Sequence, residues 1–245
     1  MTESEWRDVE PYAGSARTRD FLHRHDGRDV PGALWLPADD TPKALILVGH
    51  GGSRHKREET TLEVIAAIVA QHGMAAAAID GPLHGSRRGD RSPDPGATQK
   101  DFLDLWETPG NGIADMVADW QVSLTALLDL PELTSVPVGY YGVSMGTAFG
   151  LPLVAADSRI TAAVLGMWGN NYPNSQILVD KAADVSCPVL FLHKSEDNFF
   201  TLDGALEIYE ALAGDKRFLM NEGPHVPATE EQIEASMRFF EGVLG

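Results

Sequence analysis

Residues 136–156 constrain the fold more than any other stretch of this chain. An apolar run from Val136 to Val143 enters Gly142-Val-Ser-Met-Gly146 directly, and a helix-like segment from Ser144 to Ala156 follows. A strand that turns into a helix this abruptly holds its apex residue in a strained conformation, and bulky flanking side chains would collide across the turn. Glycines at 142 and 146 remove that collision. The apex side chain, Ser144, then stands clear at the carboxyl edge of the sheet. The positive end of the following helix, with its free N–H groups, points at the same place.

The rest of the chain has the rhythm that such a turn requires. Short runs rich in Val, Ile and Leu alternate with longer helical patterns, as in a parallel sheet with crossover helices. Strands are expected at 43–49, 74–80, 136–143, 160–166, 188–193 and 217–220, and helices at 60–72, 113–130, 144–156, 202–213 and 229–243. The beginning differs. Residues 17–25 and 29–36 flank an Asp26-Gly27 turn and predict an antiparallel hairpin. The expectation is one α/β domain over residues 1–245, its parallel sheet built from strands joined by crossover helices. Two connections are too long for plain turns, 81–112 and 168–184. Segments of that length in a compact domain are usually functional or disordered, and the 81–112 insertion is expected to contribute to a substrate pocket.

Composition narrows the function classes. With 19 Lys and Arg against 36 Asp and Glu, the formal net charge is −17, which repels nucleic acid and anionic membranes. No run approaches the roughly 18 apolar residues of a membrane span. The polar, acidic beginning does not read as a secretory signal, so a cytoplasmic location is expected. The single cysteine, Cys187, excludes an intramolecular disulfide and a cysteine-based zinc cluster.

A serine hydroxyl is a weak nucleophile until a base takes its proton. His225 is the candidate, placed after the serine in Glu-Gly-Pro-His-Val-Pro and just before the closing helix. Asp197, in the loop after the 188–193 strand, is the candidate for orienting that imidazole; Glu196 and Asp203 compete with it, and the chain order Ser, Asp, His favours Asp197. An acyl-transfer site also needs two backbone donors for the oxyanion. Met145 N–H is one. The other is expected from His50-Gly51-Gly52-Ser53, where Gly51 and Gly52 both allow a close backbone approach.

Taken together, LILVGHGG (45–52), AAIDGPLHGSR (77–87), YYGVSMG (140–146), PVLFLHKSEDNF (188–199) and GPHVP (223–227) resemble the α/β-hydrolase superfamily, in the style of its dienelactone-hydrolase-like, bacterial esterase and acyl-peptidase branches. The resemblance implies a mostly parallel eight-stranded sheet with helices on both faces, a Ser144–His225–Asp197 triad, hydrolysis through an acyl-enzyme, and neither cofactor nor metal. Dienelactone hydrolases proper use a cysteine nucleophile, whereas the apex here is Ser144. Many relatives carry a helical cap after the strand ending near Gly166; the short 166–187 gap argues against a large one here.

A carboxylic ester is the expected substrate, with a thioester, lactone or acyl-peptide within reach of the same residues and a non-hydrolytic, receptor-like binder as the rival class. Pocket candidates are His84, Trp106, Trp168 and Phe199, with Phe102, Leu105, Tyr172 and Phe200 in the same loops. Two basic clusters, Arg54 to Arg57 and Arg87, Arg88 and Arg91, suggest recognition of an anionic substrate if they reach the pocket mouth. The oligomeric state is not encoded in any pattern of the sequence.

Overall fold

The computed structural model describes residues 3–38, 41–90 and 94–245. Nine strands form one sheet: β1 (Glu3–Val9), β2 (Arg17–His25), β3 (Arg28–Leu36), β4 (Leu45–Gly49), β5 (Ala75–Ile79), β6 (Val138–Gly142), β7 (Ile160–Gly166), β8 (Val189–Lys194) and β9 (Lys216–Asn221). Their spatial order is β1-β2-β3-β5-β4-β6-β7-β8-β9. β1, β2 and β3 pair antiparallel, β3 joins β5 antiparallel, and every later pairing is parallel.

The α/β architecture is the expected one, with nine strands instead of eight. The additional strand is β1, whose sequence ESEWRDV has no apolar run to betray it. Its backbone ladder with β2 holds it, and charges of opposite sign flank that ladder. Arg7 pairs with Asp20 at 3.0 Å, Arg19 with Asp8 at 2.9 Å and Arg24 with Glu5 at 2.6 Å, while Trp6 sits 5.1 Å from Phe21, its partner in register. The predicted hairpin is therefore the second half of a three-stranded antiparallel meander.

Strand side chains alternate between two cores, as the two-residue period of a strand demands. Leu45, Leu47, Ala75, Ala77 and Tyr140 enter one; Ile46, Val48, Ala76, Ala78 and Tyr141 enter the other. The second core is covered by α1 (Glu59–Ala66), its π-helical continuation Ala67–Gln71, and the closing α7, Glu230–Leu244. The first is covered by α2 (Pro95–Trp106), α3 (Ile113–Leu128), α4 (Met145–Ala156), α5 (Gln176–Ala182) and α6 (Leu202–Ala211). No helix among the described residues is long and apolar enough to cross a membrane.

The 81–112 insertion is packed down. After a short 3-10 turn, Gly85–Arg87, helix α2 starts at Pro95, where the Asp94 carboxylate accepts from Gly96 N–H as an N-cap. It buries Thr98, Phe102 and Trp106. Trp106 is fully buried and donates its indole N–H to Pro173 O at 2.8 Å. Arg87 reaches the buried Asp119 of α3 at 2.6 Å. The other long connection, 168–184, contains α5, a seven-residue helix without a side-chain cap bond.

Candidate active site

Ser144 sits between β6 and α4 with φ of 58° and ψ of −123°. Such a conformation is costly for a residue with a Cβ, and the surroundings enforce it. Ser144 N–H donates to Gly166 O at 2.9 Å. Thr147 Oγ1 donates towards Gly142 O and Gly166 O and accepts from Gly166 N–H, at 2.6–2.9 Å. The flanking glycines are sterically required. A Cβ at position 142 would lie 2.8 Å from Gly146 O, and one at 146 would lie 2.7 Å from Gly49 O.

The loop after β9 delivers His225 and the loop after β8 delivers Asp197 to the same point. His225 Nε2 stands 3.1 Å from Ser144 Oγ, and His225 Nδ1 stands 2.7 Å from Asp197 Oδ2. Asp197 Oδ1 accepts from Phe199 N–H and Phe200 N–H, each at 2.9 Å. Burial pushes the Asp197 carboxyl up, but the His225 hydrogen bond and the two backbone donors outweigh it and hold the group below the ordinary carboxylate range. An ionised Asp197 fixes the proton of His225 on Nδ1, which leaves the Nε2 lone pair facing the serine. Neither Glu196 nor Asp203 takes this place.

A cavity of about 220 Å³ opens in front of Ser144 and His225. Its walls include Phe102, Met167, Trp168, Tyr172, Phe199 and Phe200, together with the Gly51-Gly52-Ser53 stretch. Gly52 lies against the residue after the serine: a Cβ built on it would stand 3.7 Å from Met145 Cβ and 2.9 Å from the Phe102 ring. The main-chain stretches expected to supply the oxyanion donors are thus adjacent.

Two of the expected pocket residues stand elsewhere. His84 is fully buried behind the Gly51-Gly52 turn, with Nε2 2.8 Å from Gly52 O, and Trp106 lies in the core beneath α2. Trp168 and Phe199 do line the cavity. Of the candidates Phe102, Leu105 and Trp106 in the insertion, only Phe102 lines the cavity. Sequence reasoning passed over Met167, whose φ of 51° turns the chain sharply after β7 to form part of the wall.

The basic clusters are neutralised. Arg54 pairs with Glu58 at 2.8 Å, Lys56 with the buried Asp80 at 2.5 Å, and Arg57 with Asp20. Arg87 is taken by Asp119, and Arg88 by Asp90 and Asp101. Arg91 lies outside the described residues. Only Arg54 of these touches the cavity wall, so the described residues of the two clusters offer no group of uncommitted cations to an anionic substrate. Among the described residues, no group of three or more His, Cys, Asp or Glu side chains is placed to hold a metal ion.

A model of the dienelactone hydrolase family matches residues 47–219. No curated protein matches the chain. Among solved structures, a cold-adapted esterase from an Arctic intertidal metagenomic library, bound to PEG, superposes with a TM-score of 0.85 at 33% identity, covering 98% of this chain and all of the other. Acetyl xylan esterase from Paenibacillus sp. R4 follows the same fold with a TM-score of 0.74 at 20% identity, over 100% of this chain and 90% of its own. Dienelactone hydrolase from Anabaena variabilis does so with 0.64 at 17%, over 100% and 99%. The family match runs from inside β4 to inside β9, through the serine turn and the Asp197 loop, and the 33% identical relative extends the likeness to the antiparallel meander: the chain belongs to the dienelactone hydrolase family.

Proposed function

We propose that the protein is a serine hydrolase that cleaves a small carboxylic ester through an acyl-enzyme. The observation that carries this reading is the relay from Asp197 through His225 to Ser144, with spacings of 2.7 and 3.1 Å, at the wall of an apolar cavity.

Ser144 Oγ attacks the ester carbonyl carbon while His225 Nε2 takes its proton, and Asp197 stabilises the imidazolium that forms. The tetrahedral oxyanion accepts from Met145 N–H and from the Gly51-Gly52 turn. Collapse breaks the bond to the alkoxy oxygen, which leaves as an alcohol with the proton from His225. Water, deprotonated by the same nitrogen, then attacks the acyl-serine carbonyl and releases the carboxylic acid with Ser144 restored. The about 220 Å³ cavity and its aromatic lining favour a short acyl chain. The family name and the esterase likeness agree with ester chemistry.

Turnover of p-nitrophenyl acetate and butyrate tests the reading, with Ser144→Ala expected to lose roughly 10⁴-fold or more in kcat. A fluorophosphonate should label the wild type at Ser144. Folded wild-type protein that neither turns over these esters nor takes the label would exclude the serine-hydrolase reading and favour a passive binding protein.

A further inference from the structure

Beneath the cavity lies a cluster of buried titratable side chains that the proposed reaction does not use: His50, Lys56, Asp80 and His84. Two of them grip the Gly51-Gly52 turn. His50 Nε2 accepts from Gly81 N–H at 2.9 Å, so its proton is on Nδ1, which stands 2.9 Å from Gly51 O and donates to it. His84 Nε2 stands 2.8 Å from Gly52 O, and its Nδ1 2.6 Å from Pro82 O. The two rings lie 5.0 Å apart. Successive peptide planes of the turn are thus each held by an imidazole at the carbonyl.

A trans peptide directs its N–H opposite to its C=O. Holding Gly51 O therefore fixes the direction of Gly52 N–H, and holding Gly52 O fixes that of Ser53 N–H. Gly52 is flanked by both held planes and lies against Met145. His84 does not belong to the turn it grips. It comes from the 81–112 insertion, and the chain accepts strain to present it: Leu83 adopts φ of 63° and leaves its side chain 42% exposed while His84 turns fully inward. The base of this arrangement is a buried ion pair, Lys56 Nζ to Asp80 Oδ2, with Asp80 also accepting from Lys56 N–H and Ser86 N–H.

Resting on the esterase reading, we propose that His84 is a positioning residue for the oxyanion-binding turn: it donates from Nε2 to Gly52 O and so locks the peptide that follows Gly52, while His50 on Gly51 O aims Gly52 N–H as the donor that partners Met145 N–H. The insertion then serves catalysis from behind the turn.

Burial lowers the His84 pKa against the opposing pull of Gly52 O, Pro82 O and Asp80, with Arg88 acting in the same sense as burial. Burial likewise brings His50 down to about 3. A neutral His84 has one proton for two carbonyls, and the proposal places it on Nε2.

The experiment measures p-nitrophenyl butyrate hydrolysis per titrated active site, so that unfolded molecules drop out of the count. His84→Ala, and His84→Leu to keep the volume, should lower kcat about tenfold with KM within twofold, a fraction of what losing a whole oxyanion donor costs. His84→Gln, whose amide can donate to Gly52 O, should recover kcat to within about threefold of wild type. Losses carried by KM, or an equal loss in the Gln and Leu variants, would overturn the proposal, as would a kcat within twofold of wild type. Imidazole ¹⁵N NMR of the wild type needs no variant: a His84 protonated at Nε2 supports the idea, and one unprotonated there sinks it whatever the variants do. A wild type without turnover or phosphonate labelling would instead remove the esterase reading itself, a different result from a working enzyme indifferent to His84.

Discussion

The floor of the cavity and its mouth are built by opposite means. At the floor, Ser144, Gly51 and Gly52 are main-chain geometry: a positive φ at Ser144, a Gly52 whose Cβ would stand 2.9 Å from the Phe102 ring, and two carbonyls faced by buried imidazoles. At the mouth, Phe199 and Val226 line the cavity and are 41% and 43% exposed. The floor is over-determined by hydrogen bonds, so a change there alters the chemical step. The mouth presents exposed side chains on a backbone that is anchored separately, so a side-chain change there alters which molecules enter. Turns of the first kind are rigid from the start, and reorganise little as charge develops.

Three changes would break or sharpen that contrast. The largest is expected from Asp197→Asn, which keeps the shape but removes the charge that fixes the His225 proton; kcat should fall by roughly 10³–10⁴ with little change in KM. A loss confined to KM would show that the carboxylate shapes the pocket and does not orient the base. A middle effect is expected from pH. His50 and His84 have folded pKa values below the ordinary histidine value, His50 at about 3 and His23, under Trp6, at about 4. The unfolded chain binds more protons below about pH 6.5, so the stability these groups contribute is complete above that pH and is lost progressively towards pH 4. The melting temperature should fall by roughly 5–10 °C between pH 7 and pH 4.5, and His23→Phe should flatten the slope. A melting temperature constant over that range would contradict buried neutral imidazoles. The smallest effect belongs to the mouth: Phe199→Ala should change kcat for p-nitrophenyl acetate by about twofold at most, while raising KM for the butyrate several-fold. Equal changes for both esters would place Phe199 outside acyl recognition.

Much of the floor was legible in the sequence because its constraints are local. Gly142-Val-Ser-Met-Gly146 and His50-Gly51-Gly52 are each written in consecutive residues, and the chain order of Ser144, Asp197 and His225 follows the strand order that brings them together. What stayed hidden depends on pairing across the chain. β1 reads as a polar tail because it is held by its ladder with β2 and by Trp6 against Phe21, and Arg57 and Arg87 look free because their partners, Asp20 and Asp119, lie far along the sequence. His84 and Trp106 were misplaced for the same reason. Their partners are the carbonyls of Gly52 and Pro173, which no periodicity reveals.

The turn at Ser144 also bears on how such enzymes diverge. Its steric demands fall on positions 142 and 146 and on the backbone of residue 144; none falls on whether the atom beyond the Cβ is oxygen or sulfur. A cysteine would occupy the same apex with the same dihedral angles, aimed at the same imidazole. One lineage can therefore hold members with either nucleophile on an unchanged scaffold, and the kind of ester each accepts can drift through the side chains of the rim while the peptide frame beneath them is inherited intact.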